Sequence, residues 1–443
     1  MSKFRRVGFA AVASLAVAPV AAYADMPQVT LVGPQVIRVN LPVASPAANT
    51  QTQDIQDVRN QGVAERARPG YDPEGVRLGS FILYPTLQES MKYSDNVYAT
   101  KDDKKGDFSV VSNPQVALLS NWSRHSLKIQ GGWTNYTYFK ETALNRNDFS
   151  LNAAGQLDIT RDANLTLRGG VAQLHEEPGA SGAPTDASEA NKYTLVTAGA
   201  GYNQRFNRVT SALTGDFQSY TYDNVSSFSG DKILESDRNY DQYNVDWRVG
   251  YDVSPNVNVY LKPGYNWVNY TNQPGSEASR SSDGYTIAAG VQFAVSQLII
   301  GDVYGGYQRQ SYDAYKNLSL PYYGANVTWY ATSLTTVRFG AGSAINQTNV
   351  ADAQGYLAQT VGLGIDHELL RNVILSADGA YESDDYKSSP RTDDYWRGGL
   401  QVNYLIDRNF AVGIGYTIID RNSTINNLDY TSNKIGLLLR AQL

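Results

Sequence analysis

The sequence predicts an all-β fold, a transmembrane antiparallel up-and-down β-barrel of about 18 strands with both termini in the periplasm. Three observations predict this fold: an export signal at the start of the chain, a repeated pattern of two-faced strands, and connections that alternate between short turns and longer polar loops. A mean hydropathy of −0.39 agrees with it, because only alternate residues of a barrel strand face lipid.

Residues 1–24 have the layout of a secretory signal peptide. Three basic residues precede an apolar run from Val7 to Val20, and the small-residue sequence Ala22-Tyr23-Ala24 predicts cleavage before Asp25. A transmembrane helix is the alternative, but this run has only about 14 residues where roughly 20 are needed to cross a bilayer. The sequence therefore predicts an exported protein.

The mature chain is acidic and has no Cys. Removing residues 1–24 takes away three basic residues and no acidic ones, so the formal net charge changes from −6 to −9. A nucleic-acid binder carries a basic surface, so we expect no nucleic-acid partner. Without disulfides, an exported chain needs another source of stability, and a closed hydrogen-bonded barrel supplies it.

Two further regions follow the signal. Residues 25–75 are rich in Pro, Gln, Asn and Ala without a sustained period, which predicts a flexible periplasmic N-terminal segment. Residues 76–443 show repeated alternation of period two, broken by turn residues, and are predicted to form the barrel.

The segment from Tyr243 to Val253 has the clearest strand pattern. Its odd-numbered positions are aromatic or β-branched, whereas its even-numbered positions are Asn, Asp, Arg and Gly. Such a strand has one face for lipid and one for water. The same pattern recurs from Tyr285 to Val295 and from Leu400 to Ile406.

Short and long connections alternate along the chain, which gives every strand a direction. A repeat solenoid is the alternative for such a period, but its repeats do not alternate in this way. We predict eight short turns, near Arg124, Asp162, Asn207, Pro255, Ser296, Ser333, Leu370 and Arg408. We predict long extracellular loops at Asp95 to Asp107, Glu176 to Asn191, Asp223 to Asp237, Gln273 to Asp283 and Glu382 to Asp393.

The start of the predicted barrel resembles a known family. The resemblance lies in the segment from Arg68 to Pro85, which includes Arg68-Pro69-Gly70-Tyr71-Asp72-Pro73-Glu74-Gly75, and in Tyr93-Ser94-Asp95-Asn96-Val97-Tyr98. These motifs resemble the outer-membrane β-barrel porin family of type two, a proteobacterial barrel family. The resemblance implies an outer-membrane barrel with porin function, and some members are similar to barrels associated with exopolysaccharide export. Barrels of this sort usually end in an aromatic residue, whereas this chain ends in Leu443.

No motif predicts catalysis. His125, His175 and His367 are not spaced as metal ligands, and no Gly-x-Ser-x-Gly elbow occurs. We therefore expect no enzyme activity, no metal and no cofactor. An outer-membrane lipase or protease remains an alternative by analogy alone, because such enzymes place catalytic groups on barrel strands without a local signature.

The polar faces of the strands predict the residues that line the lumen. An Arg or Lys that faces lipid costs about 2 to 4 kcal/mol at mid-bilayer, so these charged residues are better explained by a polar, water-filled interior. The full set of inward candidates, which also includes Arg440, Asp158, Asp216 and Asp378, has seven basic and six acidic residues. Neither sign dominates, which predicts weak ion selectivity, with a solvated wall and a dedicated selectivity ring as the two interpretations. The candidate lumen-lining residues are Lys128, Arg168, Asp246, Arg248, Lys262, Asp302, Arg338, Asp366 and Arg397.

These observations predict a passive diffusion channel for small hydrophilic solutes in the outer membrane of a Gram-negative bacterium. The alternative is a barrel component of exopolysaccharide secretion or envelope assembly. Expected partners are outer-membrane lipid and lipopolysaccharide, the outer-membrane assembly machinery and, under the alternative, polysaccharide. The oligomeric state stays open.

Overall fold

The structure is a computed structural model that describes residues 62–184, 186–272, 279–296, 298–348, 350 and 353–443. Eighteen long strands form the barrel, labelled β1 to β18 in chain order. The first nine are β1 Phe81–Ser94, β2 Asp107–Ser120, β3 Ser126–Tyr138, β4 Arg146–Asp158, β5 Ala163–Glu176, β6 Asn191–Phe206, β7 Val209–Tyr222, β8 Tyr240–Ser254 and β9 Val257–Tyr270. The others are β10 Ser282–Val295, β11 Ile299–Tyr312, β12 Leu318–Thr332, β13 Thr335–Asn346, β14 Gly355–Leu370, β15 Val373–Lys387, β16 Thr392–Leu405, β17 Phe410–Ser423 and β18 Tyr430–Gln442.

The strands close into one antiparallel ring. Each strand pairs with its neighbours in sequence, and β18 pairs with β1 from Thr86 opposite Gln442 to Ser94 opposite Lys434. The short strand Val76–Leu78 pairs with the first residues of β1 and brings the sheet to 19 strands. Closure leaves no long unpaired edge, which a barrel in lipid requires. The predicted antiparallel barrel and the predicted count of strands are confirmed, whereas the periplasmic location of the termini stays a prediction.

The two faces of each strand differ as the alternation predicts. Along β8, Val245 and Trp247 are exposed on the outside, whereas the neighbouring Asp246 and Arg248 are partly buried on the inside. Strand β6, whose small residues did not show its faces in the sequence, exposes Val196 and Tyr202 on the outside. An apolar outer surface thus surrounds a polar interior.

All eight predicted short turns join consecutive strands at one end of the barrel. Four of them have only two residues, and in the one formed by Asn207 and Arg208, Asn207 has a φ of 56°. Asn tolerates this left-handed conformation better than most residues, because its short polar side chain can hydrogen-bond locally. This end is called the short-turn end below, and the opposite end the long-loop end.

The predicted long loop from Glu382 to Asp393 is wrong. Strand β15 continues to Lys387 and β16 begins at Thr392, so only four residues connect them. The carboxylates of Asp384 and Asp393 point into the barrel, and neither residue is exposed to solvent. Polar groups inside the barrel bind these carboxylates. An acidic stretch that was predicted to be a solvated loop can therefore form strands.

Both described ends of the chain lie at the short-turn end. The C-terminal residue Leu443 donates its backbone N–H to Pro85 at the start of β1, and residues 62–75 contact strands next to short turns. Within the described ranges, no helix has the length and apolar character needed to cross a membrane. The predicted signal peptide and most of residues 25–75 lie outside the described residues, so the domain boundaries stay a prediction.

Candidate functional site: the barrel interior

The nine predicted lumen-lining residues lie on the inner faces of their strands. The residues directly before Arg168, Arg248 and Lys262 are Leu167, Trp247 and Leu261, and all three are exposed on the outer face. Because successive side chains of a strand point to opposite faces, the charged residue that follows each of them points inward. The nine are Lys128, Arg168, Asp246, Arg248, Lys262, Asp302, Arg338, Asp366 and Arg397.

Arg248 shows how these charges are held. Its guanidinium lies 3.1 Å from the carboxylate of Asp302 and 3.5 Å from the ring centroid of Tyr260. The Tyr260 hydroxyl donates a 2.6 Å hydrogen bond to the same carboxylate. Charge, ring and hydroxyl thus stabilise one another across β8, β9 and β11.

Four other predicted cations also have acidic partners, from neighbouring or nearby strands. Lys262 Nζ lies 3.8 Å from a carboxylate oxygen of Asp246, and Arg397 lies 3.0 Å from Glu382. Two further ion pairs join Arg168 to Asp216 and Arg338 to Asp366. Because positive and negative groups neutralise one another locally, this part of the wall presents polar surface without a ring of one sign.

The connection between β5 and β6 folds into the barrel over its described residues, 177–184 and 186–190, and we call it the inner loop. Ser181 is only 4% exposed, and its hydroxyl donates a 2.7 Å hydrogen bond to Asp384 on β15. The Tyr386 hydroxyl donates to the carbonyl oxygen of Ser181 over 3.0 Å. Strands β5 and β15 stand on opposite sides of the ring, so the inner loop crosses the interior near the long-loop end.

A second anchor holds the beginning of the inner loop. Glu177 lies 2.7 Å from the guanidinium of Arg146 on β4 and 3.1 Å from Lys434 Nζ on β18. Lys92 on β1 adds a third positive charge. Burial alone would raise the pKa of Glu177, but Lys434 and Arg146 outweigh it and lower that pKa to about 2.

Residues 62–75, which we call the N-terminal strap, enter the barrel at the short-turn end. Val63 is fully buried there. It packs against inward side chains of β15 to β18, namely Ile374, Leu405, Ala411 and Leu438. An apolar cluster therefore fixes the strap inside the barrel mouth.

Charged groups add to the attachment of the strap. Arg66 and Arg68 lie 3.4 and 3.3 Å from the same carboxylate oxygen of Glu368, at the end of β14. The Val63 backbone N–H also donates a 2.9 Å hydrogen bond to the hydroxyl of Thr336. Two cations on one carboxylate make Glu368 the central contact of the strap.

Each of the three histidines has a polar neighbour. His175 Nδ1 is 2.6 Å from Asp148, His125 accepts from the Asp158 backbone N–H, and His367 contacts Thr335. Over the part of the chain that the structure describes, no three His, Cys, Asp or Glu side chains are grouped to hold a metal ion. The expectation of no metal stays a prediction.

A family model described as "Putative beta-barrel porin 2" matches residues 68–443. This chain belongs to that family. The match covers the whole barrel and begins within the N-terminal strap, so the likeness of the segment after Arg68 is confirmed. The fold of this family member is that of an outer-membrane porin-like barrel.

Solved structures with similar barrels share little sequence with this chain. OpdL of Pseudomonas aeruginosa is 11% identical with a TM-score of 0.44, and the match covers 83% of this chain and 99% of OpdL. OpdK of the same organism is 10% identical with a TM-score of 0.42, covering 82% and 99%. The siderophore receptor PirA of Acinetobacter baumannii is 9% identical with a TM-score of 0.43, covering 81% and 80%. No curated protein sequence matches the chain.

Sequence reasoning missed the two segments that enter the barrel. The inner loop carried one signal, the run of small residues from Gly179 to Ala183, which fits against a packed wall. The strap carried a weaker one, the single apolar Val63 in a polar stretch. Neither signal identifies the contacted strand, because that depends on which strands stand opposite in the closed ring.

Proposed function

We propose that this porin-family barrel is a passive diffusion channel for small hydrophilic solutes. The observation that carries the proposal is a ring of 18 strands with a polar, charge-paired inner wall. Barrels of about 16 to 18 strands enclose more space than their own side chains fill and leave an aqueous bore. We assign it no catalytic role.

The inner loop and the N-terminal strap both occupy part of the interior, which favours a narrow path for solutes through the barrel. The inner loop crosses the interior near one end, and the strap fills part of the mouth at the other. A solute would pass both segments in turn, so we propose that they set the size limit. We further propose an outer-membrane location with the short turns toward the periplasm, insertion by the outer-membrane assembly machinery, and lipid and lipopolysaccharide around the outer face.

Conductance in planar lipid bilayers tests this function. Folded protein should insert and give discrete steps of ion current, whereas protein unfolded by heating should give none. Silent bilayers from protein that keeps its heat-modifiable mobility would contradict the diffusion channel. That result would favour a barrel that serves polysaccharide secretion or envelope assembly.

A further inference from the structure

We propose that Lys92, Arg146 and Lys434 form a binding site for the carboxylate of a small organic anion, and that Glu177 of the inner loop occupies this site until such a solute replaces it. The inference rests on the proposed channel function and names a class of solute for it. The site lies at the long-loop end, where Ser94 pairs with Lys434 near the ends of β1 and β18.

Three wall strands converge on one carboxylate. Arg146 approaches one oxygen of Glu177 to 2.7 Å, and Lys434 approaches the other to 3.1 Å. The Arg146 guanidinium also lies 3.8 Å from the ring centroid of Tyr136, which fixes its plane. Carboxylates bind best to such charge-assisted donors, so the wall has the chemistry of a carboxylate site.

The balance of charge favours an anionic ligand. The wall cations considered above pair with carboxylates that are themselves on the wall, as Arg248 does with Asp302. Arg146 and Lys434 instead both pair with Glu177, which belongs to a connection. With Lys92, three positive charges act together with two carboxylates, those of Glu177 and Asp148, so positive charge still exceeds negative charge by one and favours an anionic ligand.

The arrangement allows exchange without unfolding a strand. Glu177 lies just after the end of β5, so moving its side chain breaks no bond of the strand ladder. The Lys434 side chain is 20% exposed and the Glu177 side chain 12%, so both groups keep some contact with solvent, which is the route we propose for an incoming ion. One carboxylate enters and another leaves, and the net charge of the occupied site is unchanged for a monovalent anion.

Variants at Glu177 and Lys434 separate binding from loop anchoring. Glu177→Gln removes the carboxylate that competes with gluconate for the three cations. The variant side chain loses its charge-assisted hydrogen bonds to the site while gluconate keeps its own, so gluconate should bind at least about tenfold more tightly. Adding Lys434→Gln to this variant should abolish the gain. Asp162→Asn is the matched control, because Asp162 is exposed in the short turn between β4 and β5, at the opposite end of the barrel from the site and outside the strap.

Isothermal titration of the folded protein in detergent micelles measures the binding, with gluconate, glucose and inorganic phosphate as probes. We expect gluconate to bind Glu177→Gln tightly, wild type weakly, and glucose to bind neither. Equal gluconate affinity in wild type and Glu177→Gln would overturn the site. Tighter binding of phosphate than of gluconate would overturn the assignment to carboxylates.

Current through the same variants in bilayers distinguishes failure of the site from failure of the channel. We expect gluconate to reduce chloride current in Glu177→Gln at about a tenth of the concentration needed in wild type or less. If the current through Glu177→Gln becomes noisy but does not depend on gluconate, Glu177 only anchors the loop, and the proposal is overturned. Silent bilayers together with tight gluconate binding would refute the channel and leave the site standing.

Discussion

Neighbouring residues on one strand of this barrel face different environments, lipid on the outside and the polar interior on the inside. On β16, Leu400 is 61% exposed on the outer face, whereas Gln401 points inward and donates a 2.7 Å hydrogen bond to Asn403. An arginine at Leu400 would face lipid, and one at Gln401 would face the polar interior. Residue identity therefore matters through the face it occupies more than through its position along the chain.

We expect Leu400→Arg to destabilise the barrel by about 2 to 4 kcal/mol, because a charge near mid-bilayer loses its hydration. The neighbouring Gln401→Arg should cost clearly less. Reversible unfolding by urea in lipid vesicles measures both changes. A larger loss for Gln401→Arg than for Leu400→Arg would contradict the assignment of faces.

Glu177 gives the inner loop a dependence on pH. Its pKa in the folded protein, about 2, lies below the ordinary 4.5, so its stabilising contribution is complete above about pH 4.5 and is lost as the pH falls toward 2. Lys92, Arg146 and Lys434 stay protonated throughout that range. We expect hydrogen exchange of residues 178–184, corrected for its intrinsic pH dependence, to accelerate between pH 4.5 and 2.

Glu177→Gln provides the control for this experiment. Its neutral side chain cannot titrate, so exchange of the inner loop should already be faster at neutral pH and should change less on acidification. A pH profile identical to that of wild type would show that another group, such as Asp148 beside His175, controls the loop.

At the scale of elements, the barrel strands and the segments inside them are held by different forces. Strand neighbours share continuous backbone ladders, for example between β17 and β18. The N-terminal strap depends on one buried apolar side chain, Val63, on ion pairs to Glu368 and on the hydrogen bond from the Val63 backbone N–H to Thr336. Segments held by so few contacts open more readily than the ladders around them.

Removing the strap should therefore change conduction more than folding. We expect deletion of residues 62–75 to keep the heat-modifiable mobility of the barrel and to raise single-channel conductance in planar bilayers. Val63→Asp should act in the same direction, because it places a charge in the cluster with Ile374 and Leu438. Unchanged conductance in both variants would show that the strap does not narrow the path.

At the scale of the whole molecule, closure of the ring pairs the first strand with the last and places the connections at two opposite ends. The C-terminal strand β18 pairs with both β17 and β1, so the last residues of the chain complete the barrel. Along its outer face Leu437 and Leu439 are exposed, and Leu443 ends the same alternation. Closure also gives the connections two sides, short turns at one end and longer loops at the other.

Cysteine labelling tests the proposed orientation of these two ends. We expect a membrane-impermeant maleimide to label Ser229→Cys and Ser388→Cys on intact cells, because both residues are exposed at the long-loop end. Asn207→Cys and Asp407→Cys, at the short-turn end, should react only after the outer membrane is opened. Labelling of all four on intact cells would contradict the orientation.

Local pattern determined the architecture of this protein. Period-two alternation fixed the faces of β8 and β10, and the turn residues near Asn207 and Pro255 fixed where strands end. Both signals lie within a few neighbouring residues, so the sequence alone contains them. The prediction of a long loop at Asp384 and Asp393 was wrong for the same reason. The few neighbouring residues in the sequence do not show whether an Asp carboxylate is buried or solvated.

Tertiary structure alone decided what lies inside the ring. Ser181 meets Asp384, Glu177 meets Lys434 and Val63 meets Ile374 across more than 200 positions of sequence. Alternation shows that a side chain points inward but not what it meets there, because that depends on how many strands separate the two partners around the closed ring. The inward faces of the strands could thus be predicted from the sequence, whereas the inner loop, the strap and the proposed carboxylate site depend on closure of the ring.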